Sequence, residues 1–479
     1  MPPLPPATRR RVGLHSTPRI AFLFFVFVAA TFAGAAAPAS PPNVLLVTSD
    51  NLGYADLGCF GNHLVRTPNL DALARDGVRS TAFYSASPTC SASRAALLTG
   101  RYPQRNGLNV QLPGIEGNWG LGLAARETLI PALLKPARYA TGCFGKWNIG
   151  FAPGTRPTER GFDEFIGFPA GQVDYETYAY MLRHALYRGT EEFVSDKYAT
   201  DLWADSTIDF IRRHAERPWF VYLPFNAPHS PVPGNYAPGE PVRFKVPAKY
   251  LALYDAPPDE PNDRVRYFAV VSAMDDALGR VLRTLDELRL RERTLVIFYN
   301  DNGALTNLEH GLRFATNTPY RGGRPDCLEG GIRVPAIFRW PGRLPADTEC
   351  HEPLHATDIL PMILAATGAT APPGRVLDGI DPTPILAGRQ PAPDRILAWE
   401  YQTQAALRQG RFKLLRPARD APFALYDLAA DPGEQRDIAG KNPAVTQRLT
   451  AAYHAWVADT RRDASPAPTF PPRAAKKTK

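Results

Sequence analysis

The segment Asn43–Asn51, NVLLVTSDN, is an unbroken apolar, β-rich run that ends in a carboxylate and an amide. Such a run has the character of a strand buried on both faces. The same design returns in residues 292–303, ERTLVIFYNDNG, where the run ends in acid, amide and glycine. Residues 66–85, RTPNLDALARDGVRSTAFYS, read as a helix followed by a strand. Strands alternating with helices predict an α/β fold on a large sheet. Ligands of open α/β sheets sit at the carboxyl ends of strands. Two polar clusters far apart in sequence can therefore meet in one site.

Further along, residues 354–370, LHATDILPMILAATGAT, predict a helix near the end of the main domain. A Pro- and Gly-rich connector is expected over residues 371–394. Residues 395–463 then carry short strands, turn signals and an amphipathic helix, the pattern of a small α+β domain. Residues 464–479 are Pro-rich and basic and are expected to be a disordered tail.

The chain has 479 residues, 49 of them proline, and a formal charge of +8. That charge is confined to the ends. Arg9, Arg10, Arg11 and Arg19 precede the apolar N-terminal run, and Arg473, Lys476, Lys477 and Lys479 lie in the tail. Setting those eight aside leaves 47 basic residues against 47 acidic ones. No global basic field is implied, and no nucleic-acid partner is expected. Residues 20–37, IAFLFFVFVAATFAGAAA, with Ala33-Gly34-Ala35 as an A-x-A site, predict a signal peptide over residues 1–35. The alternative is an uncleaved anchor, for which the run is marginal in length. The upstream arginines leave a twin-arginine route open. The mature protein is expected to be exported, periplasmic or secreted, with no stable membrane span. Cysteines in such compartments usually pair, and the odd count of five leaves at least one thiol unpaired or modified.

One of those cysteines opens an apparent helix in residues 87–105, SPTCSASRAALLTGRYPQR. Cys90 has three readings: a packed thiol, half of a disulfide, or a reactive centre. A helix N-terminus favours anionic groups, and Arg94 lies one turn on and shares its face. Asp50, Asn51, Asp301 and Asn302 form an oxygen donor set suited to calcium or magnesium rather than zinc. Turn caps are the plain alternative for each pair. Lys146 (GCFGKWNIG), His229 (FNAPHSP), and Arg321, Arg324 and Arg333 (YRGGRPDCLEGGIRVPAIFRWPG) sit in Gly- or Pro-framed loops, where binding residues concentrate.

Together these motifs resemble the type I, formylglycine-dependent sulfatase family of the alkaline-phosphatase superfamily. SDNLGYADLGCFG, CSASRAALLTGR, GKWN, APHSP, NDNG and GGRPDCLEGGIRVPAI occur in the family's order. The resemblance spans nearly the whole chain from Asn43 onward, with residues 41–370 as the sulfatase catalytic domain. It implies an alkaline-phosphatase-like large mixed sheet flanked by helices, with the small C-terminal domain beside it. It implies that a maturation enzyme converts Cys90 to formylglycine, whose hydrated aldehyde attacks the sulfur of a sulfate ester. The second hydroxyl then loses its proton and the bound sulfate is expelled. Position by position, Asp50, Asn51, Asp301 and Asn302 match the ligands of one calcium ion, with residue 90 beside them. Arg94 matches the arginine that steadies the diol, and Lys146 the lysine near diol and sulfate. His229 matches the histidine contacting the sulfate and leaving oxygen, and Arg324 stands where the family usually has lysine.

Four departures stand out. Asn51 replaces a common aspartate, Ala92 the commonest proline, and Arg324 a lysine. Asn148 replaces the histidine thought to take the proton that drives elimination, and an amide is no general base. The resemblance implies a sulfuric ester hydrolase acting on a sulfated small molecule or polysaccharide. Two alternatives remain at this level: a sulfatase-like binding protein with weak turnover, and a phosphoester or phosphonate hydrolase of the superfamily. Trp119, Tyr175, His184, His310 and Arg313 are expected at the pocket rim, against the plainer reading of ordinary surface residues.

Overall fold

The computed structural model describes residues 41–113, 121–236, 238–305 and 314–469, all within one compact unit. The expected signal peptide over residues 1–35, with Ala33-Gly34-Ala35, and Trp119, His310 and Arg313 lie outside the described residues. At the centre, β1 (Asn43–Ser49) runs parallel to β10 (Thr294–Asn300) on one side and β9 (Trp219–Pro224) on the other. β3 (Ala140–Lys146) and β4 (Glu164–Phe168) continue the parallel block beyond β9. β11 (Arg333–Arg339) is antiparallel to β10 and to β2 (Val78–Tyr84). β12 (Thr348–Cys350) and β13 (Leu354–His355) pair with β2. The hairpin of β7 (Tyr187–Arg188) and β8 (Glu191–Glu192) ends the opposite edge, while β5 (Ala179–Tyr180) and β6 (Arg183–His184) pair apart.

Every residue of β1, β9 and β10 is buried, which explains why their middles are apolar on both faces, with polar residues only toward the ends of β1 and β10. Side chains alternate between two cores, as the strand period of two demands. Leu45, Val47, Val221, Leu223, Val296 and Phe298 enter one core. Val44, Leu46, Phe220, Tyr222, Leu295 and Ile297 enter the other. The first core is covered by the Ala199–Arg213 and Asp263–Glu287 helices and α1 (Pro68–Arg75). The second is covered by α2 (Cys90–Thr99) and the Ile359–Thr367 helix.

The C-terminal part is a four-stranded antiparallel meander: β14 (Ile396–Tyr401), β15 (Gln404–Gln409), β16 (Phe412–Arg416) and β17 (Ala424–Asp427). The Pro443–Arg462 helix packs on one face of it. Its other face meets the main sheet: Trp399 Nε1 donates to Ser85 O at 2.7 Å. Beside it the buried Lys413 ammonium bridges Glu329 at 2.9 Å and Glu434 at 2.8 Å.

Two expectations are corrected. The chain remains placed beyond Asp463, because Ser465 N–H donates to Arg105 O at 2.8 Å and its hydroxyl to Glu127 at 2.6 Å. Residues 464–469 are therefore held against the main domain, and residues 470–479 lie outside the described residues. All five cysteines are unpaired. Cys143 and Cys350 lie in the second sheet core and Cys327 in the contact with the C-terminal sheet, while Cys90 faces Asp50. Among the described residues, no helix is long and apolar enough to cross a membrane.

Lys413 separates two buried carboxylates, so removing it leaves uncompensated charge in the interior. Lys413→Met is expected to cost about 3–5 kcal/mol, read as a clear fall in the thermal unfolding midpoint. An unchanged midpoint contradicts this.

Candidate active site

The register of the parallel strands builds the site. Ser49 pairs with Asn300, so the next residues, Asp50 and Asp301, emerge side by side. Thr48 pairs with Pro224, which brings the loop carrying His229 to the same end. β3 ends at Lys146, two residues before Asn148. α2 then places Cys90 at this carboxyl edge, with its Sγ 3.6 Å from Asp50 Oδ1. The glycine of NDNG is required by close approach: a Cβ on Gly303 would lie 1.8 Å from Gly330 O.

Asp50, Asp301, Arg94, Lys146 and Asn302 are fully buried, and Asn51 nearly so. Lys146 Nζ donates to Asp50 Oδ2 at 2.6 Å. Arg94 grips Asp301 Oδ2 through Nε at 2.9 Å and Nη2 at 2.7 Å. Its Nη1 donates to Lys146 O at 3.3 Å and Tyr222 Oη at 3.2 Å. Burial and the neighbouring Asp50 charge hold the Asp301 carboxyl above its ordinary range. Burial pushes the Cys90 thiol up to about 11, although Arg324 and Lys146 pull against it. The unmodified side chain is thus a protonated thiol at neutral pH, not a thiolate nucleophile.

His229 is set as a neutral imidazole. Its Nδ1–H donates to Ser230 O at 2.8 Å, leaving the Nε2 lone pair toward Arg324 Nη1 at 3.4 Å. Burial, then the Lys146 and Arg324 charges, hold its pKa well below the ordinary value. Tyr175 is not a rim residue. It is buried, and its hydroxyl donates toward Asn226 O at 3.2 Å and His229 O at 3.0 Å, bracing the histidine loop from below. His184 Nε2 pairs with Phe193 O at 2.6 Å and is engaged there.

The donor set fits a hard divalent cation. Ligand atoms of Asp50, Cys90 and Asp301 lie within 4.8 Å of one another. Asp301 Oδ1 and Asn302 Oδ1 are buried with no hydrogen-bond partner among the described residues. Asn51 Oδ1 accepts from Asn302 Nδ2 at 2.6 Å, which ties the two amides together. Oxygen atoms orphaned beside two carboxylates suit calcium or magnesium.

Two further residues carry no sequence signal. Gln111 Nε2 donates to Asn148 Oδ1 at 3.2 Å, and the Ser91 hydroxyl donates to the same oxygen at 3.1 Å. Asn148 adopts left-handed backbone (φ 57°), a conformation that asparagine tolerates well.

Comparison with known proteins shows the family and the fold. The sulfatase family model matches residues 42–369. N-acetylgalactosamine-6-sulfatase of Canis lupus familiaris is 35% identical over 414 residues, covering 82% of this chain and 74% of that protein. Steryl-sulfatase of Rattus norvegicus is 32% identical, covering 74% of this chain and 72% of that one. The crystal structure of Ps i-CgsB with k-i-k-neocarrahexaose superposes with a TM-score of 0.79 at 29% identity, covering 89% of this chain and 95% of that one. The chain belongs to the formylglycine-dependent sulfatase family, and it is an enzyme of the sulfatase class.

The depressed His229 pKa has a consequence for stability. The folded imidazole stays neutral below pH 6.5, whereas the unfolded one takes up a proton, so stability falls as pH falls. From pH 6.5 to 5.5 a single such histidine costs about 1 kcal/mol. His229→Gln is expected to lose that much less than the parent over this interval in urea unfolding. Parallel losses in both proteins contradict the assignment.

Proposed function

We propose that this chain hydrolyses sulfate esters of carbohydrates, with residue 90 supplying the nucleophile beside one divalent cation. The observation that carries the reading is the assembly around Cys90: two buried carboxylates, the buried Arg94 and Lys146, the partly buried Arg324 and a neutral histidine gathered at one edge of the sheet. The names of the relatives, an N-acetylgalactosamine sulfatase and a structure bound to a neocarrahexaose, support a sulfated sugar as substrate. Calcium, or magnesium in its place, would be held by Asp50, Asn51, Asp301 and Asn302 and would polarise oxygens at sulfur. Formylglycine, made from Cys90 by a maturation enzyme, would supply a hydrated aldehyde as nucleophile. The apolar N-terminal segment supports export to the periplasm or beyond.

The chain's own residues then divide the work. Lys146 and the partly buried Arg324 offset the negative charge of the sulfate oxygens, and the full burial of Lys146 strengthens its effect. Arg94 fixes Asp301 through one hydrogen bond from Nε and a close ion-pair contact from Nη2, so the carboxylate keeps its place without substrate. His229 Nε2 carries the free lone pair of a neutral imidazole and is the atom that can accept a hydrogen bond or a proton beside Arg324. Asn148 can neither take nor deliver a proton. With Asn51 in place of an acid, three cations face two carboxylates, and the site carries net positive charge suited to an anionic ester.

Because residue 148 is no base, expulsion of sulfate is expected to be slower than its first transfer. Rapid mixing with an aryl sulfate should show a burst of phenol near one equivalent of matured enzyme, followed by slow release. Asn148→His should raise the slow rate by at least about tenfold. No sulfate release from a broad panel, with residue 90 confirmed as the aldehyde, would overturn the reading.

A further inference from the structure

The amide of Asn148 has a fixed polarity. The backbone N–H of Ser91 donates to Gln111 Oε1 at 3.2 Å. A main-chain N–H cannot accept, so this bond decides which end of Gln111 is oxygen. Gln111 therefore turns its Nε2 toward Asn148 and donates to Oδ1 at 3.2 Å. The Ser91 hydroxyl accepts from Leu112 N–H at 3.1 Å and passes its own hydrogen to the same Oδ1 at 3.1 Å. Two donors thus occupy the one acceptor that Asn148 owns. Its Nδ2 is left over, buried, with no hydrogen-bond partner among the described residues.

That amide group looks onto a place where the chain lacks a side chain. A Cβ on Gly171 would lie 3.5 Å from Gln111 Nε2 and 3.9 Å from Asn148 Nδ2. Two NH2 groups therefore converge beside a bare Cα, next to the residue that follows Cys90. A buried donor without an acceptor is costly, so a ligand oxygen is the natural partner. Lys146 lies two residues before Asn148 at the end of β3, and Ser91, which bonds Asn148, follows Cys90, so an anionic oxygen of an ester held at residue 90 is the acceptor this place suits.

We infer that Asn148 is a hydrogen-bond donor to an oxygen of the bound sulfate ester, and that Gln111 is the positioning residue that imposes this polarity. The inference rests on the proposed sulfatase reading. It gives residue 148 a role that a proton-accepting histidine would not have: it holds an anionic oxygen and moves no proton.

The test is binding of inorganic sulfate, by calorimetry, to the full chain with unmodified Cys90, which removes turnover from the readout. Asn148→Leu should weaken sulfate about tenfold. In Gln111→Glu one carboxylate oxygen still accepts from Ser91 N–H, but the other now faces Asn148. The Asn148 amide must then turn its NH2 inward and its oxygen toward the site. The added charge alone would weaken sulfate by the same factor in any background. The polarity account predicts that the Q111E factor shrinks at least about fivefold when N148L is already present. Equal Q111E factors in both backgrounds overturn the inference. Asn148→Asp keeps both incoming bonds and must also weaken sulfate, so an unchanged affinity there overturns it too. If the parent binds no sulfate, the sulfatase reading and this inference fall together; if it binds and the factors are equal, only this inference falls.

Discussion

Everything at this site follows from the pairing of β1 with β10. Parallel register sets Ser49 opposite Asn300, and the chain then delivers Asp50 and Asp301 into one buried space. Burial, and then the repulsion between two carboxylates sharing such a space, raises the Asp301 pKa. The surrounding groups answer that constraint. Lys146 takes one carboxylate, Arg94 takes the other, and the orphaned oxygens of Asp301 and Asn302 remain for a cation. Cys90 stands where these charges meet.

The scaffold keeps this arrangement rigid from several directions. Tyr175 and Trp203 bond the loop before His229 from the first core, with Trp203 Nε1 on Asn226 Oδ1 at 3.0 Å. Asn317 bonds Ala304 through both amide ends and ties the NDNG turn to the loop carrying Arg324. The C-terminal sheet clamps that loop from outside: Gln404 Oε1 accepts from Cys327 N–H, and Glu434 O accepts from Arg321. The C-terminal part thus contacts the loop on both sides of Arg324, the residue that faces His229. Preorganised charge of this kind is what stabilises a developing oxyanion without reorganisation.

Much of this was legible in the sequence, for definite reasons. NVLLVTSDN and LVIFYNDNG advertise buried parallel strands because both their faces must be apolar, and the polar pair that breaks each run marks the strand end. CSASRAALLTG gave its helix through the apolar run and closing glycine, which adopts left-handed backbone at Gly100. Other features left no trace. Gln111 lies in a plain polar loop, and its role depends on Ser91 N–H and Asn148, neither near it in sequence. Tyr175 lies in a turn, as its sequence suggests, but its burial was hidden because it is created by the histidine loop and the Ala199–Arg213 helix. Pairing of cysteines is a compartment-wide tendency, while their actual places, in separate cores, depend on the three-dimensional packing. Ser465 shows the same limit: a Pro-rich stretch hid a residue whose hydroxyl reaches Glu127.

The central claim is that this buried cage of charges exists to serve a nucleophile made from Cys90. The most direct measurement is the mass of the peptide spanning residues 87–101 from chain produced with a formylglycine-generating maturation enzyme. The account predicts the mass of the aldehyde at position 90, with the other four cysteines recovered as thiols. A peptide recovered wholly as unmodified cysteine, from a host that matures a control sulfatase, would contradict it.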